Sequence, residues 1–132
     1  MKKQRTERQR IGDLGEQYAV NHLRLHGYTV RERNWRSGHH ELDVIATTFR
    51  TVAFVEVKTR SYTPEEVEAL PPPGRAVNTE KQRVTRLAAR QYLFEHPTKK
   101  LPRMDVIEVW LECRKDGKKP KPLRIRHIKG AY

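Results

Sequence analysis

Residues 41–46 read Glu41-Leu42-Asp43-Val44-Ile45-Ala46, and residues 54–60 read Phe54-Val55-Glu56-Val57-Lys58-Thr59-Arg60. Both runs are rich in apolar and β-branched residues, and both read as strands. Paired as an antiparallel hairpin with Asp43 opposite Glu56, they set Glu41 against Lys58 and Ile45 against Phe54 on one face. The other face then holds Leu42, Val44 and Ala46 against Val57, Val55 and Ala53, all apolar. A slip of one residue would mix the faces, so this register is the expected one. It brings the Cβ atoms of Asp43 and Glu56 to about 5 Å. Two acids and a lysine thus stand where strand context calls for apolar side chains, a conflict that chemistry or a compensating network must resolve.

Magnesium keeps several waters and needs only one or two carboxylates plus a substrate phosphate. Asp43 and Glu56 supply that pair, with the Val57 carbonyl as a further candidate ligand. Lys58 shares a face with Glu56 because strand side chains alternate. From there its ammonium can orient a water or offset charge on a reacting phosphorus. Glu41, opposite Lys58, can tune that lysine or hold a second ion. A plainer alternative is a Glu41–Lys58 salt bridge on a solvated sheet face. It leaves the Asp43–Glu56 repulsion unrelieved.

Working outward, the first ten residues are polar and basic and read as a flexible N-terminus. Asp13-Leu14-Gly15-Glu16 resembles a capping box opening a helix that Gly27 stops. Glu16 falls on the buried side of that helix, where capping and a carboxylate aimed at a site are both open readings. Strands are expected at residues 28–33, 41–47 and 52–59. Residues 61–77, with Pro64, Pro71, Pro72, Pro73 and Gly74, read as a mobile loop. A second helix starts at Asn78 or Thr79 and ends near Pro97, with Val84, Leu87, Ala88, Gln91 and Phe94 inward. Strands at 104–111 and 123–128 follow, separated by a Lys-rich turn at Asp116-Gly117. The order predicts one α/β domain over 1–132, in which the second helix delivers a parallel strand.

A third of the residues are charged and the formal net charge is +12. Residues 37–70 reverse that sign, with three basic and six acidic residues, so the acidic pair sits inside a basic protein. Basic surroundings attract a polyanion, and nucleic acid is the expected partner. Arg83, Arg86 and Arg90 form a stripe that reads either as a backbone-tracking face or as an ordinary solvated one. Lys81 and Arg60 are further candidate phosphate contacts. Trp35 and Trp110 read as packing residues. Cys113 is the single cysteine, so an intrachain disulfide is excluded. No apolar run has transmembrane length, and the expected location is cytoplasmic, without membrane contact.

Gly12, Gly15-Glu16, Gly27-Tyr28, Asn34, the two central runs, Lys81, Ala89-Arg90-Gln91-Tyr92-Leu93, Arg103-Met104-Asp105-Val106-Ile107 and His127-Ile128 together resemble the YraN-like family. The resemblance covers nearly the whole chain. That family is similar to archaeal Holliday-junction resolvases and to the restriction-endonuclease-like nucleases, whose signature is Asp, a spacer, then Glu/Asp-x-Lys. The resemblance implies an αβββαβ core with a mixed sheet flanked by helices. It implies Asp43, Glu56 and Lys58 as catalytic residues, Glu16 as the helix-one glutamate completing the metal site, and Mg2+ or Mn2+ as cofactor. The segment Gly38-His39-His40-Glu41 departs from the family's Gly immediately before Glu. Adjacent strand histidines point to opposite faces, so the pair reads as surface residues rather than ligands of one ion. The expected activity is hydrolysis of a phosphodiester in DNA, branched or flapped. The alternative is a non-catalytic nucleic-acid-binding module on the same scaffold. A homodimer is a further hypothesis, because a junction presents two symmetric cuts.

Overall fold

The computed structural model describes residues 5–63, 65–66, 78–113 and 117–132. α1 (Glu7–Leu25) leads into β1 (Thr29–Ser37), β2 (His40–Thr47) and β3 (Thr51–Tyr62). α2 (Thr79–Glu95), β4 (Leu101–Glu112) and β5 (Lys121–Ile128) follow. The strands form one five-stranded sheet in the order β1-β2-β3-β4-β5. All neighbours are antiparallel except β3 and β4, which run parallel with α2 as the crossover between them. This is the expected α/β architecture, the αβββαβ order of a restriction-endonuclease-like core extended by β5. Among the described residues no helix is long and apolar enough to cross a membrane.

Each sheet face carries one helix. α1 packs Ala19, Val20 and Leu23 on Val44, Ala46, Ala53, Val55, Ile107, Val109 and Leu111. α2 packs Ala88, Ala89 and Tyr92 on Leu42, Ile45, Val52 and Phe54. Leu23, Ile45, Phe54 and Ile107 are fully buried, and each such side chain contributes roughly 1.5–3 kcal/mol. Trp35 and Phe54 meet the Tyr92 ring edge-on at 5.3 and 5.8 Å. Trp110 is buried under the Arg124 guanidinium, 4.6 Å from its ring. Both tryptophans are packing residues.

Four expectations are corrected. α1 begins at Glu7, with Thr6 as N-cap: Gln9 N–H donates to Thr6 Oγ1 at 3.1 Å and Thr6 N–H to Gln9 Oε1 at 2.8 Å. Residues 7–10, expected as a flexible N-terminus, are therefore helical, and residues 1–4 lie outside the described residues. Glu16, mid-helix, has no capping role. Ser61 and Tyr62 belong to β3, whereas residues 64 and 67–77 of the expected loop lie outside the described residues, as does Asp116. α2 is rotated relative to its expected face: Thr85, Ala88, Ala89 and Tyr92 are inward, while Leu87 is 41% and Phe94 81% exposed. Small residues let the helix approach the sheet closely, and Tyr92 fills the slot between Trp35 and Phe54. Finally, Leu42 packs with Ile45 and Phe54 on the α2 side rather than with Val44 and Ala46.

Candidate active site

β2 and β3 pair in the expected register, from Thr47↔Val52 through Ile45↔Phe54 to Val44↔Val55, and the ladder ends there. Beyond it the Asp43 side chain substitutes for a backbone acceptor: Val57 N–H donates to Asp43 Oδ2 at 2.9 Å. The expected Glu41–Lys58 pairing is absent from the ladder, and Glu41 instead forms an ion pair with Arg36 across β1 and β2 at 3.3 Å. On the other side of β2, Asn34 interrupts β1 in the left-handed region with φ 52°, the only such non-glycine residue described. Asparagine tolerates that backbone better than most residues, and such conformations cluster at functional sites. The site therefore lies where both neighbours of β2 depart from regular pairing.

That departure organises Glu16. The Asn34 amide and the Arg33 guanidinium both donate to Glu16 Oε1, each at 3.1 Å, and Arg33 also reaches Gln17 Oε1 at 3.0 Å. α1 is close enough because Gly15 lies directly on Thr59 of β3, where a Cβ would overlap the threonine side chain. A glutamate one residue beyond this crossing faces the strand end carrying Asp43.

Burial pushes the Asp43 carboxyl from its ordinary 3.8 up to about 6, and the negative charges of Glu56 and Glu16 add to the rise. The Val57 N–H and the Lys81 ammonium oppose it. Three carboxylates thus act on one another at the end of β2, with a counter-charge from the first turn of α2. Glu56, Asp43, Glu41, Lys81 and Thr85 border one small crevice. Within it Glu56 Oε2 is buried and accepts no hydrogen bond among the described residues. An unpaired buried carboxylate oxygen is costly in any protein. A cation would remove that cost, so the donors suit an oxygen-preferring divalent ion that retains waters. Among the described residues no three His, Cys, Asp or Glu side chains converge into a ready cage. The arrangement is two carboxylates with a third tied back, open for solvent or substrate oxygens.

Lys58 stands on the Glu56 face of β3, beside the buried Glu108 of β4. The cation with a marked effect on Asp43 is Lys81 of α2. Arg60 is exposed beside Trp110. In the α2 stripe, Arg83 is paired with Glu80 at 2.6 Å, Arg86 covers the Tyr132 ring at 5.2 Å, and Arg90 is exposed. His39 is exposed in the β1–β2 turn and His40 half-buried at the start of β2, opposite Ser37.

A cleft of about 750 Å³ runs between the first half of α1 and the end of β3, with Asp43, Glu16, Val57, Arg5 and Arg8 in its walls. Sequence reading missed this wall because it left the first ten residues out of the fold. It also missed Arg33 and Asn34 as the holders of Glu16; an asparagine inside a strand run was the available signal. Asp105 is buried and accepts from Arg103 Nε and Nη2 at 2.8 Å each, His127 Nε2 at 2.7 Å and Gly130 N at 3.0 Å.

The family model described as "Uncharacterised protein family UPF0102" matches residues 15–109, which contain Glu16, Asp43, Glu56 and Lys58. A UPF0102 protein of Bacteroides fragilis is 39% identical over 122 residues, covering 92% of this chain and 91% of its own. One from Bacteroides thetaiotaomicron is 39% identical over 130 residues, with 96% and 94% covered. A third, from Alkaliphilus oremlandii, is 37% identical over 126 residues, with 93% and 97% covered. With matches of this extent reaching from α1 to β5, the chain belongs to the UPF0102, or YraN-like, family.

Proposed function

We propose that this protein is a metal-dependent phosphodiester hydrolase acting on DNA. The observation that carries the reading is the electrostatic state of the Asp43–Glu56 pair. One carboxyl is pushed up to about 6 by burial and by its acidic neighbours, and the other leaves a buried oxygen without a partner. A carboxyl shifted as Asp43 is, beside a buried acid lacking a described partner, is characteristic of functional sites. The surrounding chain is basic, with a net charge of +12, and attracts a polyanion.

Asp43 and Glu56 would hold Mg2+ or Mn2+, with Glu16 as an accessory ligand and the Val57 carbonyl as a further one. When bound, such an ion polarises a phosphoryl oxygen and lowers the pKa of a coordinated water. The chain's own groups do the rest. Val57 N–H fixes the Asp43 carboxylate, and Arg33 with Asn34 fixes Glu16. Lys58, two residues along the Glu56 face, orients the attacking water and offsets charge on the phosphorus. Lys81 and Arg60, with exposed groups of the α2 stripe, contact phosphates without reading sequence.

The test is cleavage of linear, flapped and four-way DNA with Mg2+ or Mn2+, alongside Asp43→Ala and Lys58→Ala. A wild type that cuts at least tenfold faster than both variants supports the reading. A wild type no better than either on every substrate removes it. One observation favours a second reading, a non-catalytic nucleic-acid-binding module: the described acids form no three-ligand cage, and Glu16 Oε1 is already occupied by Arg33 and Asn34. That module would bind nucleic acid in a salt-sensitive manner, indifferent to Mg2+ and to Asp43→Asn.

A further inference from the structure

The cleft that receives Asp43 and Glu16 has α1 as its second wall, and one residue of that wall has no packing explanation. Gly12 lies in the interior of α1. Glycine there weakens a helix relative to alanine, because it loses more backbone freedom on folding. The fold accounts for Gly15, which Thr59 crowds. It does not account for Gly12: a Cβ built there meets nothing within 4 Å, and its φ requires no glycine. Gly12 instead opens directly onto the cleft, between Arg8 on one side and Glu16 and Asp43 on the other.

A glycine that costs the helix stability and touches nothing suits a place where another backbone must come close. Glu7, Asp13, Glu16 and Asp43 line the cleft beside Arg5 and Arg8, so the kind of backbone follows from the cation that these acids leave unpaired. Arg5 is paired with Asp13 at 2.7 Å, whereas no ion pair is formed by Arg8 among the described residues. Arg8 therefore presents a free guanidinium at the cleft mouth, a geometry suited to phosphate. A volume of about 750 Å³ is that of a small-ligand cleft. It has room for a short stretch of one strand.

We propose that the cleft along the first half of α1 seats a single nucleic-acid strand, its sugar–phosphate backbone lying on Gly12 and a phosphate against Arg8. The proposal rests on the reading of Asp43 and Glu56 as the hydrolytic centre, and gives the path by which a strand reaches it. A flap or a frayed end would supply such a strand.

The test uses the full chain, a short fluorescein-labelled single-stranded oligodeoxynucleotide and EDTA, with anisotropy for binding and a thermal scan for folding. Gly12→Ala and Gly12→Gln are expected to raise Tm by about 2–4 °C, since both are better helix formers in open space. Gly12→Gln is expected to weaken binding at least about tenfold despite that gain, and Arg8→Gln to weaken it with a shallower salt dependence. Unlabelled duplex should displace the strand poorly. Wild-type affinity in Gly12→Gln overturns the proposal; so does a fall in Tm, which would give the glycine a structural purpose. Efficient displacement by duplex, or no binding by the wild type, overturns it as well. If Gly12→Gln loses binding as expected but the wild type cuts nothing, the strand path stands and the hydrolytic reading alone fails.

Discussion

Asp43→Asn tests the candidate site without any substrate. In the folded protein burial, then Glu56 and Glu16, raise the Asp43 pKa from 3.8 to about 6, against the Val57 N–H and Lys81. A carboxyl whose folded pKa lies above its unfolded one keeps its proton in the native state while the unfolded chain has released it. Stability therefore falls as pH rises from about 4 to about 6 and levels off above that. A rise of this size makes the ionised side chain about 3 kcal/mol costlier in the fold. Water reaching the half-buried carboxylate reduces that to roughly 1–3 kcal/mol. Asparagine cannot ionise, and its amide oxygen can still accept the Val57 N–H. Asp43→Asn should then match the wild type near pH 4 and exceed it by roughly 1–3 kcal/mol at pH 7.5. Urea unfolding followed by circular dichroism at four pH values between these limits measures the difference directly. Mn2+ should raise the neutral-pH midpoint of the wild type only, because an ion bound to the native state alone stabilises it. Superimposable pH profiles for the two proteins, or a less stable variant at pH 7.5, would refute the reasoning.

Asp105→Ala should cost about 3–5 kcal/mol, because it leaves Arg103 and His127 without their buried partner. Burial alone would raise the Asp105 pKa, but hydrogen bonds from His127, Arg103 and Gly130 outweigh it and hold the carboxyl below its ordinary value. Its contribution is present at neutral pH and lost as pH falls through that lowered pKa, so the deficit measured by urea unfolding should shrink in acid. Gly15→Ala drives a methyl into the Thr59 side chain and should destabilise by about 1–3 kcal/mol; Thr59→Ala in the same protein should recover part of the Tm, and no recovery would mean the two do not meet. Thr6→Ala removes the side-chain half of the α1 capping box and should cost about 1 kcal/mol, with faster amide exchange confined to the first turn. Exchange rising across the whole helix instead would show that the cap is not a local device.

The β2–β3 register was legible because one face of the hairpin is wholly apolar, and a single-residue slip would bury charge. Alternation stops being a guide at Leu42, because the left-handed Asn34 and the end of the β2–β3 ladder change the side toward which β2 presents its residues. α2 was misread by ranking residues on hydrophobicity alone. Leu87 and Phe94 are larger than Ala88 and Ala89, but the helix sits so close to Phe54 that only small residues and one well-placed ring fit. Asp13 with Glu16 satisfies the local capping rule, yet α1 begins at the Thr6–Gln9 box, and Ile11 and Leu14 pack on the sheet from within that longer helix. The residues that position Glu16 lie on another element, and apart from an asparagine inside a strand run nothing in the sequence links them to it.

The sheet contains its own control for the functional reading. Asp105 lies beside Val55 in the β3–β4 ladder, one residue from Glu56, and is as unwelcome in an apolar strand as Asp43. Its two oxygens nevertheless receive four hydrogen bonds, and its pKa is held down despite complete burial. The same chain can therefore satisfy a buried acid with its own donors when the role is structural. Around Asp43 and Glu56 the described donors are fewer: one backbone N–H reaches Asp43, Lys81 acts on it only through its charge, and one buried Glu56 oxygen has no described partner. Among the buried carboxylates described, the deficit falls on Glu56, beside Asp43 and close to where β2 leaves regular pairing with β3. A structural acid pair would have drawn donors as Asp105 has. A pair awaiting a cation and its waters must leave them out, because every donor placed there would compete for the oxygens the ion needs. Asp43→Asn at neutral pH should accordingly stabilise the fold and abolish ion binding in the same protein, a combination that no structural role for Asp43 produces.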